Sequence, residues 1–244
     1  KDGDKTGKAA TSLSTVETDK QTYLLTGIVT DSEDKPVAGA AVQFWGYTEK
    51  GVYNPDPVLR KQVVTDANGK FKFKAANEEG VLVAKKRGLA HAWDLVNPSH
   101  PLHQGNEYKL VMTPPGKISG VVVDESDQPV ANIEVSVNMA TYEVIGPTAN
   151  RWRILLTGKN AHDCFAATTD ATGHFHIDIF PTNATAELAV RLPGKALRPA
   201  IRKSKNPEKL SYCASQEEIK LVMEPTGCIE GRIISGETNQ PPTI

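Results

Sequence analysis

The chain has 244 residues, of which 39% are hydrophobic and 23% are charged. This balance is typical of soluble globular proteins, and the length suits one large domain or two modest ones. The formal net charge of −1 gives no broad positive field, so we expect no nucleic-acid partner. The apolar runs are too short to cross a bilayer, so the sequence predicts no transmembrane segment in this fragment.

The chain opens with a polar segment, residues 1–21, which is rich in Lys, Asp, Thr and Ser and is typical of a linker. Short runs of alternating apolar and polar residues follow, and this period of two predicts β-strands. Turn signals separate the runs, for example Asp66 to Gly69. The predicted strands lie near residues 24–31, 40–46, 58–65, 70–75, 80–86, 91–95 and 107–112.

The strand pattern repeats along the chain. Lys-Leu-Val-Met occurs at 109–112 and again at 220–223. The opening block, Thr-Gly-Ile-Val-Thr-Asp followed by Lys-Pro-Val-Ala, starts at Thr26, returns at Ser119 and begins a third time at Glu230. The turn block Thr-Asp-Ala-Asn-Gly-Lys-Phe, which begins at Thr65, returns in altered form from Thr169. An internal repeat of this size indicates modules that share one fold.

The blocks divide the chain into a module at 22–114, a second module at 115–225 and the truncated start of a third at 226–244. The second module is longer because extra residues fall within about 139–166. Seven short strands in about 100 residues are typical of a two-sheet sandwich. We therefore predict an all-β chain of two tandem seven-stranded antiparallel β-sandwiches, prealbumin-like or immunoglobulin-like, plus the first strand of a third repeat.

The opening block with its Lys-Pro-Val-Ala-Gly-Ala-Ala-Val continuation, and the later Thr-Asp-Ala-Asn-Gly-Lys-Phe, resemble the carboxypeptidase regulatory-like domain. The resemblance covers both modules and the start of the third. It implies a transthyretin-like (prealbumin-like) β-sandwich and a non-catalytic accessory module of the kind found in tandem arrays on exported bacterial proteins. Because the shared residues are mostly turn and core residues, they are specific for the fold and poor guides to function.

Four aromatic residues are the candidate ligand-binding residues: Trp45, Tyr53, Trp93 and Trp152. Exposed Trp and Tyr side chains can stack on sugar rings or anchor a protein partner. The alternative is that they pack over the end of a sandwich, which we favour for Trp45 and Trp93. Trp152 lies in the extra residues of the second module, where neither interpretation is preferred.

A metal site is a further possibility at His91, Asp94, His100 and His103, since imidazole and carboxylate groups ligate transition metals. The alternative is a polar loop, because Pro98 and Pro101 interrupt this stretch. We place no metal there and expect no cofactor.

No known catalytic motif is present, and the conspicuous Asp residues fall at turns, where Asp caps its own backbone. These are Asp31, Asp66, Asp124 and Asp170. The sequence therefore predicts no catalytic residue and a chain that is not an enzyme.

The functional prediction is a non-catalytic accessory, spacer or binding segment of a larger exported bacterial protein. The predicted location is extracellular or periplasmic, and any membrane tether is expected in other parts of that protein. One alternative is a carbohydrate- or cell-wall-binding module, and another is a protein-interaction module that regulates an attached peptidase. The expected partner is a protein or a glycan, and the expected state is a monomer. Cys164 and Cys213 could form a disulfide or remain free.

Overall fold

The computed structural model describes residues 22–47, 57–97, 107–145, 149–197, 211–214 and 218–227. This part of the chain is almost entirely β-structure, with one short helix. The strands of the first half are β1 Thr22–Asp31, β2 Ala41–Gly46, β3 Val58–Val64, β4 Lys70–Ala76, β5 Gly80–Lys85, β6 Ala92–Val96 and β7 Glu107–Met112. The elements of the second half are β8 Pro115–Asp124, β9 Glu134–Ile145, β10 Arg151–Thr157, α1 Gly158–Cys164, β11 Ala166–Thr168, β12 His174–Pro181, β13 Thr185–Val190, β14 Lys195–Leu197, β15 Ser211–Cys213 and β16 Ile219–Pro225.

The first half forms two sheets with the orders β4-β1-β7 and β3-β2-β5-β6. Alternate residues of β1, β2, β4 and β7 are buried, and large side chains such as Leu25, Phe44, Leu82 and Tyr108 fill the space between the sheets. The all-β class predicted from the alternating pattern is confirmed. All seven strands predicted for this half are present, with ends that differ by at most two residues.

The second half repeats this arrangement with the sheets β12-β8-β16-β14 and β10-β9-β13-β15, and β11 also pairs with β9. It contains nine strands among the described residues, not the seven that were predicted. One additional strand lies where the extra residues fall, because 139–166 lengthen β9, supply β10 and form helix α1. The other is β14, which pairs with β16 and has no counterpart beside β7 among the described residues. The helix has only seven residues, too few for a helical period to show in the sequence.

One sheet in each half is mixed, which corrects the prediction of purely antiparallel sandwiches, and the other sheet of each half is antiparallel. β1 pairs with β7 in parallel, and β8 pairs with β16 in parallel. An alternating apolar pattern fixes which face of a strand is buried but not the direction of its neighbour, so the sequence could not reveal this pairing.

The repeated Asp residues shape turns in the same way in both halves. Oδ1 of Asp66 accepts hydrogen bonds from the backbone N–H groups of Asn68 and Lys70, and Asp170 does the same for Thr172 and His174. Asp31 and Asp124 each accept two backbone bonds in the earlier turn. These carboxylates therefore act as local backbone caps.

Several sequence predictions fall outside the described residues, namely the linker at 1–21, Tyr53, His100, His103 and nearly all of the third repeat. Cys164 is buried and free, so the disulfide considered between Cys164 and Cys213 is not formed. Within the described ranges, no helix combines the length and hydrophobicity that a membrane crossing requires.

Strand β5 is buried on both faces, as is most of its neighbour β6. Leu82 and Ala84 point into the core of the first half. Val81 and Val83, on the opposite face, are also buried and belong to the hydrophobic cluster of the second half. The two halves are therefore packed against each other through this sheet.

Candidate functional site

Strands β9 and β10 of the second half pair as a hairpin, which is called the arm below. The arm extends to the first half and contacts it. Trp152 lies opposite Val144, and Ile154 lies opposite Tyr142, so these four side chains share one face of the arm. Strands β10 and β6 lie side by side. The apolar face of the arm covers the outer face of the β5–β6 pair, which would otherwise be exposed.

The contact between the β9–β10 arm and the outer face of the β5–β6 pair is called the joint below, and Trp93 lies at its centre. The side chain is only 1% exposed, and its ring makes edge-to-face contacts with Tyr142 at 5.3 Å and Phe165 at 6.1 Å between centroids. Its Nε1 donates a hydrogen bond to the carbonyl oxygen of Ile154 at 3.4 Å. In return the hydroxyl of Tyr142 donates to the carbonyl oxygen of Trp93 at 2.6 Å. The joint thus combines apolar burial with directional bonds that fix its geometry.

Around Trp93 the joint is apolar. Val81 and Val83 are buried in it, and Trp45 and Leu95 pack against the same cluster while half-buried. Full burial of one large apolar side chain contributes on the order of 2–3 kcal/mol. Burial of several such side chains together therefore stabilises the contact between the two halves.

A cleft of about 500 Å³ lies beside the joint. Its walls come from both halves: β6 and β7 on one side and the end of the arm on the other. Asp94, Glu107 and Glu143 bring carboxylates to it, and Val111 and Ile145 are exposed apolar side chains on its walls. Clefts between modules that mix apolar walls with a few polar groups are common ligand sites.

His91 lines this cleft and contacts the joint. Its ring lies 5.6 Å from that of Phe165, and its Nδ1 is buried without a hydrogen-bond partner among the described residues. Burial, and secondarily the positive charge of Lys85, lower the pKa of His91 to about 4. His91 is therefore a neutral, partly buried imidazole at neutral pH.

Of the candidate ligand-binding residues, Trp93 is buried in the joint, so its ring is not available at the surface. Trp45 is half-buried on the same face, and its Nε1 donates to Oε1 of Gln43 at 3.3 Å. Trp152 lies on the arm, half-buried. The structure thus brings three of the four aromatics to one side of the first sandwich.

Sequence reasoning missed Tyr142 and Phe165 as partners of Trp93. Their signal was weak, because both fall in or beside the extra residues of the second half, where the repeat offers no counterpart. A stronger signal was the unbroken apolar run Val81 to Ala84, which is typical of a strand buried on both faces.

Asp94 is only 6% exposed, and its Oδ1 accepts a hydrogen bond from the backbone N–H of Leu95 at 2.8 Å. Among the described residues, no group of three or more His, Cys, Asp or Glu side chains is arranged to hold a metal ion. His91 and Asp94 therefore gain no third ligand within that part of the chain.

Residues 5–104 match a family model described as Dioxygenase. No curated protein matches the chain. Among solved structures, the shaft pilin SpaA of Lactobacillus rhamnosus GG is 12% identical with a TM-score of 0.31, covering 86% of this chain and 100% of the pilin. Catechol 1,2-dioxygenase of Pseudomonas arvilla C-1 is 13% identical with a TM-score of 0.31, covering 39% of this chain and 53% of the dioxygenase.

The family-model match corrects the prediction that the chain is not an enzyme, since the matched model describes a dioxygenase. The physical reason for the error is that turn and core residues shared by β-sandwiches specify a backbone and carry no chemistry. The absence of a familiar catalytic motif was therefore insufficient ground for that prediction.

Proposed function

We propose that the two modules, residues 22–225, act as a rigid segment that sets the distance and angle between the parts of a larger exported protein on either side. The observation that carries this proposal is the joint around Trp93, which joins the modules through apolar burial and two hydrogen bonds. Two modules that move independently on a flexible linker would need neither the buried apolar contact nor the hydrogen bonds.

The connection between the modules supports the same proposal. Strand β7 ends at Met112 and β8 begins at Pro115, so two residues link them. One of these, Thr113, is buried, and its carbonyl oxygen accepts a hydrogen bond from the backbone N–H of Ala90 at 2.9 Å. The other is Pro114, whose ring restricts backbone rotation. The link therefore adds little freedom to a joint that is already packed.

The proposal is tested by ¹⁵N relaxation of the 244-residue chain. We expect one rotational correlation time for both modules in the wild type. Trp93→Ala removes the central side chain of the joint, and loss of a buried Trp destabilises by about 3–5 kcal/mol. In this variant we expect two shorter correlation times, one for each module, and a broader distribution of distances in small-angle X-ray scattering.

Phe71→Ala is the matched control, because Phe71 belongs to the core of the first module and not to the joint. This variant should melt at a lower temperature and still tumble as one body. Two independent correlation times in the wild type would overturn the proposal.

The family-model match favours a second candidate, a dioxygenase activity in the first module. His91 and Asp94 line the cleft in this module and are of residue types that ligate metals, but the described residues hold no complete ligand set. We therefore derive no catalytic step. Oxygen uptake by the purified chain, measured with a panel of divalent and trivalent metals and small aromatic substrates, tests this candidate, and no uptake above a protein-free blank would exclude it.

A further inference from the structure

A row of three lysines lies on the outer face of the first module. Lys70, Lys72 and Lys74 alternate along β4 with the buried Phe71, Phe73 and Ala75, and all three lysines are exposed. Alternate residues of a strand lie about 7 Å apart, so three positive charges follow one straight line. Strand β4 pairs only with β1 among the described residues, so the row lies along a sheet edge.

These lysines have no ion-pair partner in the described part of the chain. The neighbouring Lys109 on β7 differs, because its Nζ is 2.7 Å from Oδ1 of Asp34. Thr26 on β1 lies between Lys72 on β4 and Glu107 on β7. Two strand spacings place Lys72 and Glu107 roughly 10 Å apart, which is beyond ion-pair range. The described residues around the row therefore do not neutralise its positive charge.

A flat strip runs beside the row. Leu24, Thr26 and Ile28 on β1 lie directly opposite Lys74, Lys72 and Lys70. Leu24 is 54% exposed, so an apolar side chain faces solvent at one end of the strip. A ligand lying along this face would meet ammonium groups on one side and a narrow apolar and hydroxyl surface on the other.

The second module lacks this feature. Its positions equivalent to the lysine row are His174, His176 and Asp178 on β12, also an edge strand. If three lysines were needed only to prevent edge-to-edge pairing, the equivalent edge would be expected to carry a similar row. Because the two edges differ in charge while the sandwich is the same, the lysine row is a property of the first module alone.

We propose that Lys70, Lys72 and Lys74, with the Leu24–Ile28 strip, form a binding surface for a linear acidic polysaccharide. Carboxylate or sulfate groups that recur along such a polymer pair with the ammonium groups in sequence. The apolar faces of its sugar rings lie on Leu24 and Ile28. This surface shares no residue with the joint or with the lining of the cleft, although β7 lies between the strip and the cleft, and it goes beyond the spacer function proposed above.

Two other polyanions fit less well. A membrane surface attracts cations that are spread in two dimensions, whereas this face presents a single line. Single-stranded nucleic acid is held by aromatic side chains that stack on its bases, and the described outer face of the β4-β1-β7 sheet carries none.

Affinity electrophoresis of the full chain in gels that contain polygalacturonate tests the proposal. We expect retardation of the wild type that weakens strongly between about 0.05 and 0.5 M salt, because exposed charge pairs are screened over this range. The variant Lys70→Gln/Lys72→Gln/Lys74→Gln should lose affinity by about tenfold or more. Leu24→Ser should lose affinity by a smaller factor without a change in salt dependence.

A charge-matched control is Arg87→Gln/Lys117→Gln/Arg191→Gln, which removes three exposed cations that form no ion pair among the described residues. This control should bind as the wild type does, and thermal melting should show all variants to be folded. The proposal is overturned if the lysine variant binds normally, if the control loses as much affinity, or if neutral dextran retards the protein equally. Binding only to anionic phospholipid vesicles or to single-stranded DNA would also overturn it.

Discussion

Acidification should weaken the fold through His91, and the size of the effect follows from its surroundings. The imidazole has a pKa near 6.5 in an unfolded chain and about 4 in the structure, because burial and Lys85 disfavour its charged form. Between these two values the unfolded state binds a proton that the folded state does not. The contribution is complete above pH 6.5 and is lost as the pH falls toward 4, reaching on the order of 3 kcal/mol.

The assay is urea unfolding followed by tryptophan fluorescence at several pH values from 7.5 to 4. His91→Leu keeps the apolar contact with Phe165 and cannot bind a proton. We expect the free energy of unfolding of the wild type to fall below that of His91→Leu progressively as the pH drops from 6.5. His176→Gln, at an exposed position of the second module, should follow the wild-type curve. Parallel pH curves for the wild type and His91→Leu would refute the reasoning.

Three further predictions concern single side chains. Gly69→Ala should lower the free energy of unfolding by about 1–3 kcal/mol in thermal or urea melts, because Gly69 has a φ of +72° and a Cβ there would meet a backbone oxygen at 2.5 Å. Asp170→Ala should lower the melting temperature by removing a turn cap, whereas Asp170→Asn should retain most of the wild-type melting temperature. Hydrogen bonds to Glu134, and secondarily to Asp163, raise the pKa of His162. The stabilising effect of His162 is therefore complete below pH 6.5 and is lost as the pH rises through the raised pKa. In urea titrations, His162→Gln should destabilise the chain at pH 6 and have little effect at pH 9.

The strands and their turns were predictable because each rests on local chemistry. Phe71 and Phe73 alternate with lysines, and Asp66 and Gly69 form a turn that needs no distant partner. The sheet orders and the parallel pairing of β1 with β7 were not predictable, since they depend on contacts between residues about 80 positions apart.

The joint was accessible only in part. The apolar run Val81 to Ala84 indicates a strand covered on both sides, but nothing local shows that the cover is the β9–β10 arm. Trp93 could be identified as an aromatic of interest, and only the structure shows it enclosed by Tyr142 and Phe165. The chemical function was the property least predictable from the sequence, because the family resemblance rested on residues that shape turns and fill the core.

The parallel pairing of the first and last strands of each module has a mechanical consequence. A chain pulled from both ends draws β1 backwards and β7 forwards along the same axis, so the six residue pairs that join them are loaded in shear and must fail together. β8 and β16 are arranged in the same way in the second module. We expect each module to resist stretching in single-molecule force spectroscopy far better than a hairpin of equal length, which unzips one pair at a time.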